Sequence, residues 1–385
     1  MENLPSPIIA DILIRLPTKA IVQSRCVCKT WLKLTSNSDF INLHLLKSTT
    51  GLIINNLSSS PTDDESFLFN FVEIEGHHDL HYVTNSKMEL PKSGGSNMTM
   101  VGSINGLVCL NEFDHQFDVL HIWNPTMRHS ISVQTPNGVK RADPNIVRYG
   151  FGIISSESQT YHYRVARIFQ EPAEFLHSSE CQVYNLEDGS WKSIGHAPFR
   201  YNSLDHGIFL NGSLHWLIDD PDGSEFISCM DIEKERFKPF PPPPGLSKDR
   251  KTTLNIYKGC LSVCDNTADS EIVIWVMEEY GVKKSWRKEV VIPRYPLFGG
   301  GRFYDVVRVV KVFKDGEILL LERDDMVSLY HPEKKTWESV DGRDLIGATK
   351  KRTCEFSVLH PPIQAMDYVP TILSLKNFGT LNISI

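Results

Sequence analysis

Apolar and polar positions follow two rhythms along this chain, and the change comes near residue 50. Before it, Ile8, Ile9, Ile12, Leu13 and Leu16 share one stripe at the 3.6-residue helical period. Ser6 is placed to cap that helix, Pro7 suits its first position, and Pro17 ends it. Thr18 then opens a second helical segment with Ala20 and Ile21, followed by Cys26, Val27, Trp31 and Leu34. The pattern predicts a helical module over residues 4–46.

After residue 50 the apolar runs shorten and one phrase recurs. It reads LHIWNPTMRHSISV, CQVYNLEDGSWKSIG, ISCMDIEKERFKPFP, SEIVIWVMEEYGVKKSWRKEVVIP and MVSLYHPEKKTWESV. Each is an alternating strand, a polar turn and a second strand, which predicts a hairpin. A partner segment precedes each: GSINGLVCL, YGFG with HYRVARIF, HGIFLNGSLHWL, TLNIYKGCLSVC and VVRVVKVFKDGEILLLER. Together they form units of roughly 35 to 50 residues with about four strands, the size of a propeller blade. An irregular unit from TGLIINN through HYVTNSKMELP brings the number to about six. The C-terminal CEFSVLHPPIQAMDYVPTILSL is expected to lend a closing strand to the first unit, because an open ring would leave sheet edges bare. The predicted fold is mainly β with a small α N-terminal module: a helical unit, residues 1–47, followed by a β-propeller of about six blades, residues 50–385. A β-sandwich is the competing arrangement.

The 385 residues are 41% hydrophobic and 23% charged, enough for a sizeable core. A net charge of −7 argues against a general nucleic-acid surface. The charge is uneven. Within residues 1–50, Arg15, Lys19, Arg25, Lys29, Lys33 and Lys47 oppose Glu2, Asp11 and Asp39, a local balance of +3 that leaves −10 for the rest. No apolar run approaches a membrane span, and MENLPSPIIADILIRLP lacks the marks of a secretory signal, so no membrane partner and a cytosolic or nuclear location are expected. The sequons at Asn56, Asn97, Asn211 and Asn382 then read as chance.

Eight cysteines show no disulfide spacing and are expected as thiols. In RCVCKTW, one continuous helix would point Cys26 and Cys28 about 200° apart, which excludes a metal clip. Cys260 and Cys264 read as strand residues, and His77, His78 and His81 of HHDLH as a solvated loop. No nucleophile elbow, phosphate loop or dinucleotide glycine pattern appears. FGGGRF, from Phe298 to Phe303, has neither the lysine nor the following helix of a phosphate cradle. FPPPPG reads as a stiff linker between blades, and Asp63-Asp64, Asp219-Asp220 and Asp324-Asp325 as turn pairs. No catalytic residue, metal ligand or cofactor is assigned, although propeller loops can assemble an active site without a linear motif.

About 45 residues rarely fold alone without disulfides, metal or a partner, so the helical module must pack on the remaining chain or dock elsewhere. Here LPSPIIADILIRLPTKAIVQSRCVCKTWLKL followed by DFINLHL resembles an F-box in residue type and spacing, apart from Gln23-Ser24, where the family usually has Arg and a large apolar residue. GSINGLVCL, IWNPTMRHSI, YGFG, VYNLEDGSWKSI and LNGSLHWL resemble the F-box-associated, kelch-like domain of plant F-box proteins, though the kelch diglycine is missing. The resemblance implies docking on the Skp-type adaptor of a Skp-cullin-F-box ubiquitin ligase through Leu4, Pro5, Ile9, Ile12, Leu13, Leu16, Pro17, Ile21, Val27, Cys28, Lys29 and Trp31. It implies presentation of a protein substrate, with no bond chemistry of the chain's own. Polar or glycine-rich segments 58–66, 134–145, 170–179 and 295–303 are candidate recognition loops, with Phe298, Arg302 and Phe303 as candidate substrate contacts. A propeller lectin or enzyme with a helical cap is the rival reading.

Overall fold

The structure, a computed structural model, describes residues 4–56, 66–73, 84–91, 97–113, 118–136, 147–156, 160–169, 179–197, 205–218, 227–246, 252–294, 306–321, 326–341, 363–378 and 383–384. Four short helices open the chain: α1 (Ser6–Leu13), α2 (Thr18–Ser24), α3 (Lys29–Thr35) and α4 (Ser38–Lys47). Ser6 and Thr18, expected as caps, are the first residues of their helices; Pro5 and Pro17 hold the cap positions. A proline loses nothing there, since its missing N–H would have no helical partner and its fixed φ fits the turn. Asn37 caps α4, its side-chain oxygen accepting from the Asp39 and Phe40 amides. The expected continuous helix through RCVCKTW is broken, with Cys28 extended at φ −160°.

The remaining chain forms six antiparallel sheets. Blade 1 holds β1 (Gly51–Asn56), β2 (Ser66–Glu73) and β3 (Thr84–Pro91), and blade 2 holds β4 (Asn97–Ile104), β5 (Leu107–Phe113), β6 (Asp118–Asn124) and β7 (His129–Gln134). Blade 3 holds β8 (Val147–Ser155), β9 (Tyr161–Phe169), β10 (Ser179–Asn185) and β11 (Ser190–Ala197). Blade 4 holds β12 (Ile208–Leu210), β13 (Ser213–Leu217), β14 (Ile227–Asp231) and β15 (Arg236–Phe240). Blade 5 holds β16 (Thr252–Tyr257), β17 (Cys260–Asp265), β18 (Glu271–Met277) and β19 (Trp286–Pro293), and blade 6 holds β20 (Arg308–Val312), β21 (Ile318–Leu321), β22 (Met326–His331) and β23 (Thr336–Asp341). The chain then returns. β24 (Ile363–Tyr368) pairs with β1 as the innermost strand of blade 1, and β25 (Ile383–Ser384) pairs with β7 on the outer edge of blade 2.

The innermost strands β24, β4, β8, β12, β16 and β20 touch in sequence around a closed ring. That ring is a six-bladed β-propeller, which rules out the sandwich. Closure by β24 is the expected C-terminal strand. All five recurring hairpins occur as read, and the turns Asn105-Gly106, Asn211-Gly212 and Lys258-Gly259 have positive φ at both residues, matching the twist of two-residue hairpins.

Apolar residues fill the seams between blades. All seven residues of β5 are buried, because neighbouring blades cover both faces of its sheet, whereas outermost β11 is mostly exposed. The seam between blades 1 and 2 packs Phe69, Met100, Leu110, Trp123 and Tyr368, and that between 3 and 4 packs Val183, Leu214, Trp216 and Met230. At the latter, an added Cβ on Gly207 would sit 2.4 Å from the Trp216 ring, so the backbone approach that bridges Gly207 to Gly150 needs glycine. FPPPPG joins blades 4 and 5 as expected, and the Pro241 carbonyl accepts from Trp286 Nε1. No helix among the described residues is long and apolar enough to cross a membrane.

Candidate docking surface and recognition face

The helical module has a sealed side and an open side. Ile9, Leu13, Ile14, Ile21, Phe40 and Ile41 form its core, and Ile372, Leu373 and Met127 of the propeller complete that core. The seam is also hydrogen-bonded. Arg25 donates to the Ile372 carbonyl at 3.0 Å and to Ser36 Oγ. Asn124 Nδ2 donates to the Thr371 and Leu373 carbonyls, and the Thr126 and Tyr368 hydroxyls are 2.8 Å apart. The segment just after β24 is thus held by the helices on one side and by the β6–β7 turn on the other. Burial lowers the Arg25 pKa below its ordinary value, and it does the same for His44, whose ring lies near Thr18 and Ser48. Ser24, where the family pattern expects a large apolar residue, is buried and donates from Oγ to the Ile21 carbonyl at 2.7 Å, so its hydroxyl is satisfied inside the helix.

The expected docking residues divide between the two sides. Leu4, Pro5, Ile12, Leu16, Pro17, Val27, Cys28 and Lys29 are exposed, with Val27 64% and Ile12 42% accessible. Trp31 is half-buried against the core. Ile9, Leu13 and Ile21 belong to the core itself, Leu13 at 1% and Ile21 at 0% accessible. Those three make internal contacts of the module in this structure. The helical period put Ile9 and Leu13 on the same stripe as Ile12, but a short helix wrapped on one side by its own module splits that stripe down the middle. Ile8 and Leu32, exposed and apolar, were absent from the expected set. Periodicity flags Ile8; the break before α3 that turns Leu32 outward has no linear signature.

The two propeller faces are distinguished by hydrogen bonds between strand ends. His206, just before β12, accepts at Nδ1 from the Tyr149 amide, so its proton sits on Nε2, which donates to Thr99 Oγ1 at 3.1 Å. Gln364 Oε1 accepts from the Met100 amide, and Arg308 pairs with Asp205 at 2.5 Å. These contacts gather the starts of β4, β8, β12, β20 and β24 at one end of the axis. The helices sit at the other end, where β24 finishes, β1 begins and the β6–β7 turn projects. The strand ends that bracket segments 57–65, 137–146, 170–178 and 295–305 all emerge on the face away from the helices. Phe298, Arg302 and Phe303 lie outside the described residues, as do His77, His78, His81, the FGGGRF segment and the three paired carboxylates.

One constellation has the residue types of a hydrolytic triad. His121 places Nε2 2.7 Å from Glu112 Oε2 and Nδ1 3.3 Å from Ser132 Oγ. It spans β5, β6 and β7 with both His121 and Glu112 sealed from solvent, so it stitches three strands and offers a substrate no approach. A second polar group, His215 with Tyr280 and Cys229, closes the seam between blades 4 and 5. Burial drives the His215 pKa down to about 4 and raises the Cys229 thiol, leaving both neutral and inert.

Comparison with known proteins agrees with this architecture. A profile described as an F-box associated beta propeller domain matches residues 56–363, and one for the F-box domain matches residues 1–43. The chain belongs to the F-box-associated β-propeller family. Among Arabidopsis thaliana proteins, the F-box/kelch-repeat protein At3g23880 is 28% identical over 86% of this chain and 88% of its own length. F-box protein CPR1 is 26% identical over 84% of this chain and 80% of its own. A solved oligogalacturonate lyase in complex with manganese covers 75% of this chain and 77% of that chain at TM-score 0.41 and 10% identity, which decides nothing about activity.

Proposed function

We propose that this F-box propeller is the substrate-recognition subunit of a Skp-cullin-F-box ubiquitin ligase, acting in the cytosol or nucleus. The observation that supports it is the division of the helical module: propeller and C-terminal segment cover one side, while Leu4, Ile8, Ile12, Leu16 and Val27 stay open on the other. A module that already has its core and still displays large apolar side chains has the makings of a docking surface. The Skp-type adaptor would cover those side chains and bring the cullin. The propeller would hold a target protein on the face away from the helices, where the longer connections attach. The chain then performs no bond chemistry; it raises the local concentration of target lysines near the charged enzyme.

The test is co-purification of the full chain with a Skp-type adaptor, comparing wild type with an Ile12→Ala, Val27→Ala double variant. Both positions are exposed, so the fold survives, and each truncation of an anchor costs on the order of 2 kcal/mol of binding. Undiminished capture by the variant, with an unchanged melting profile, would falsify the docking assignment.

A further inference from the structure

The two cysteines of Arg25-Cys26-Val27-Cys28-Lys29 carry a thiol chemistry that docking by itself does not use. In the described residues the cysteines differ in exposure, and Cys260 at the start of β17 is half-buried. Cys109, Cys181, Cys229 and Cys264 are buried within the propeller, and burial holds their thiols protonated. Cys26 and Cys28 are exposed. They flank Val27, at 64% accessible the most open apolar side chain of the proposed docking surface. The backbone explains the pairing: α2 ends at Ser24, the turn that follows carries Cys26, and extended Cys28 precedes α3. A continuous helix would have put one sulfur inward.

Arg25 and Lys29 bracket the pair, and Lys33 lies one turn further along α3. A reactive cysteine must be accessible, as both of these are. A cationic setting also selects among small disulfides for an anionic one. Glutathione disulfide, with more carboxylates than amines, has that character.

Resting on the adaptor-docking reading above, we infer that Cys26 and Cys28 are a thiol-modification site for glutathione-type disulfides, and that the adduct closes the docking surface. The chemistry is a simple exchange. A cysteine thiolate attacks one sulfur of glutathione disulfide, the protein–glutathione S–S bond forms as the old S–S bond breaks, and the departing glutathione thiolate takes up a proton. The cysteine is oxidised, one glutathione is released reduced, and a second thiol reverses the step. A tripeptide carrying net negative charge then stands beside Val27, where an interface needs close apolar contact.

The test uses the full chain treated with glutathione disulfide, with peptide mass spectrometry to locate adducts and titration against a Skp-type adaptor to measure affinity. The expected result is adducts on Cys26 or Cys28 ahead of every other cysteine, affinity weakened about tenfold or more, and recovery on adding dithiothreitol. The C26S/C28S variant, compared with itself before and after treatment, should show no change in affinity. Adaptor bound beforehand should shield both thiols. The inference is overturned if untreated protein binds and treated protein binds equally well, if adducts collect on other cysteines, or if bound adaptor leaves labelling unchanged. Failure of untreated protein to bind at all would instead remove the docking reading on which it rests.

Discussion

The helical module and the propeller dispose of apolar surface in opposite ways. Each blade is incomplete alone and is finished on both faces by its neighbours, so even the seven consecutive residues of β5 end up buried. The helices are finished on one side only, by Ile372, Leu373 and Met127, and keep Ile8, Ile12 and Val27 in solvent. A closed ring consumes its own interfaces. A module docked on its rim retains one, and that is the surface the docking proposal assigns to a partner.

The comparison breaks most severely if the shared C-terminal segment is removed. Deleting residues 363–385 takes away the inner strand of blade 1 and Ile372 together, so ring and module should both lose cooperative unfolding, measurable by circular dichroism and thermal melting. Survival of a sharp transition would show that the two parts do not depend on that seam. Next in size is the module core. Leu13→Ala or Ile21→Ala should cost about 2 to 5 kcal/mol of stability, read by denaturant unfolding, whereas Ile12→Ala should change stability by no more than about 0.5 kcal/mol and weaken adaptor capture instead. Equal stability losses at Leu13 and Ile12 would erase the distinction between the two sides.

The propeller alone should show a sharper acid response at one seam. His215 is buried neutral with its pKa lowered from 6.5 to about 4. The unfolded chain therefore binds this proton first as pH falls, so the stabilisation is complete above about pH 6.5, declines between there and pH 4, and is gone below. The contribution is on the order of 3 kcal/mol at neutral pH relative to acid. Replacing His215 with Gln should flatten the pH dependence of unfolding free energy across that window. His44 and His129, also lowered by burial, would retain their share of the slope. The smallest effect is at Ser24. Ser24→Ala removes the bond to the Ile21 carbonyl from a helix that closes its own backbone bonds, and melting should shift by about 1 kcal/mol or less.

Legibility followed the range of the interactions. The hairpins were readable because turn chemistry is local: Asn-Gly and Lys-Gly at 105–106, 211–212 and 258–259 need only their own positive φ values to reverse the chain. The helical stripe was readable for the same reason. Which half of that stripe would be covered was not, since Ile9 and Leu13 differ from Ile8 and Ile12 only in meeting neighbours from α2, α4 and a segment more than 300 positions away. The expected caps at Ser6 and Thr18 failed by one residue because prolines in front of them suit the cap geometry themselves.

Local chemistry thus determined the elements of this protein: strand periods, turn residues, proline stops, and even the need for a closing strand once the repeats were counted. The tertiary structure alone decided which side of the helices is sealed, which face carries the longer connections, and why two of the cysteines remain in solvent. Those outcomes depend on the return of β24 and the residues after it, a loop closure spanning nearly the whole chain. Contacts of that range leave no periodic trace in the sequence, because their partners are set by the ring and not by spacing along the backbone.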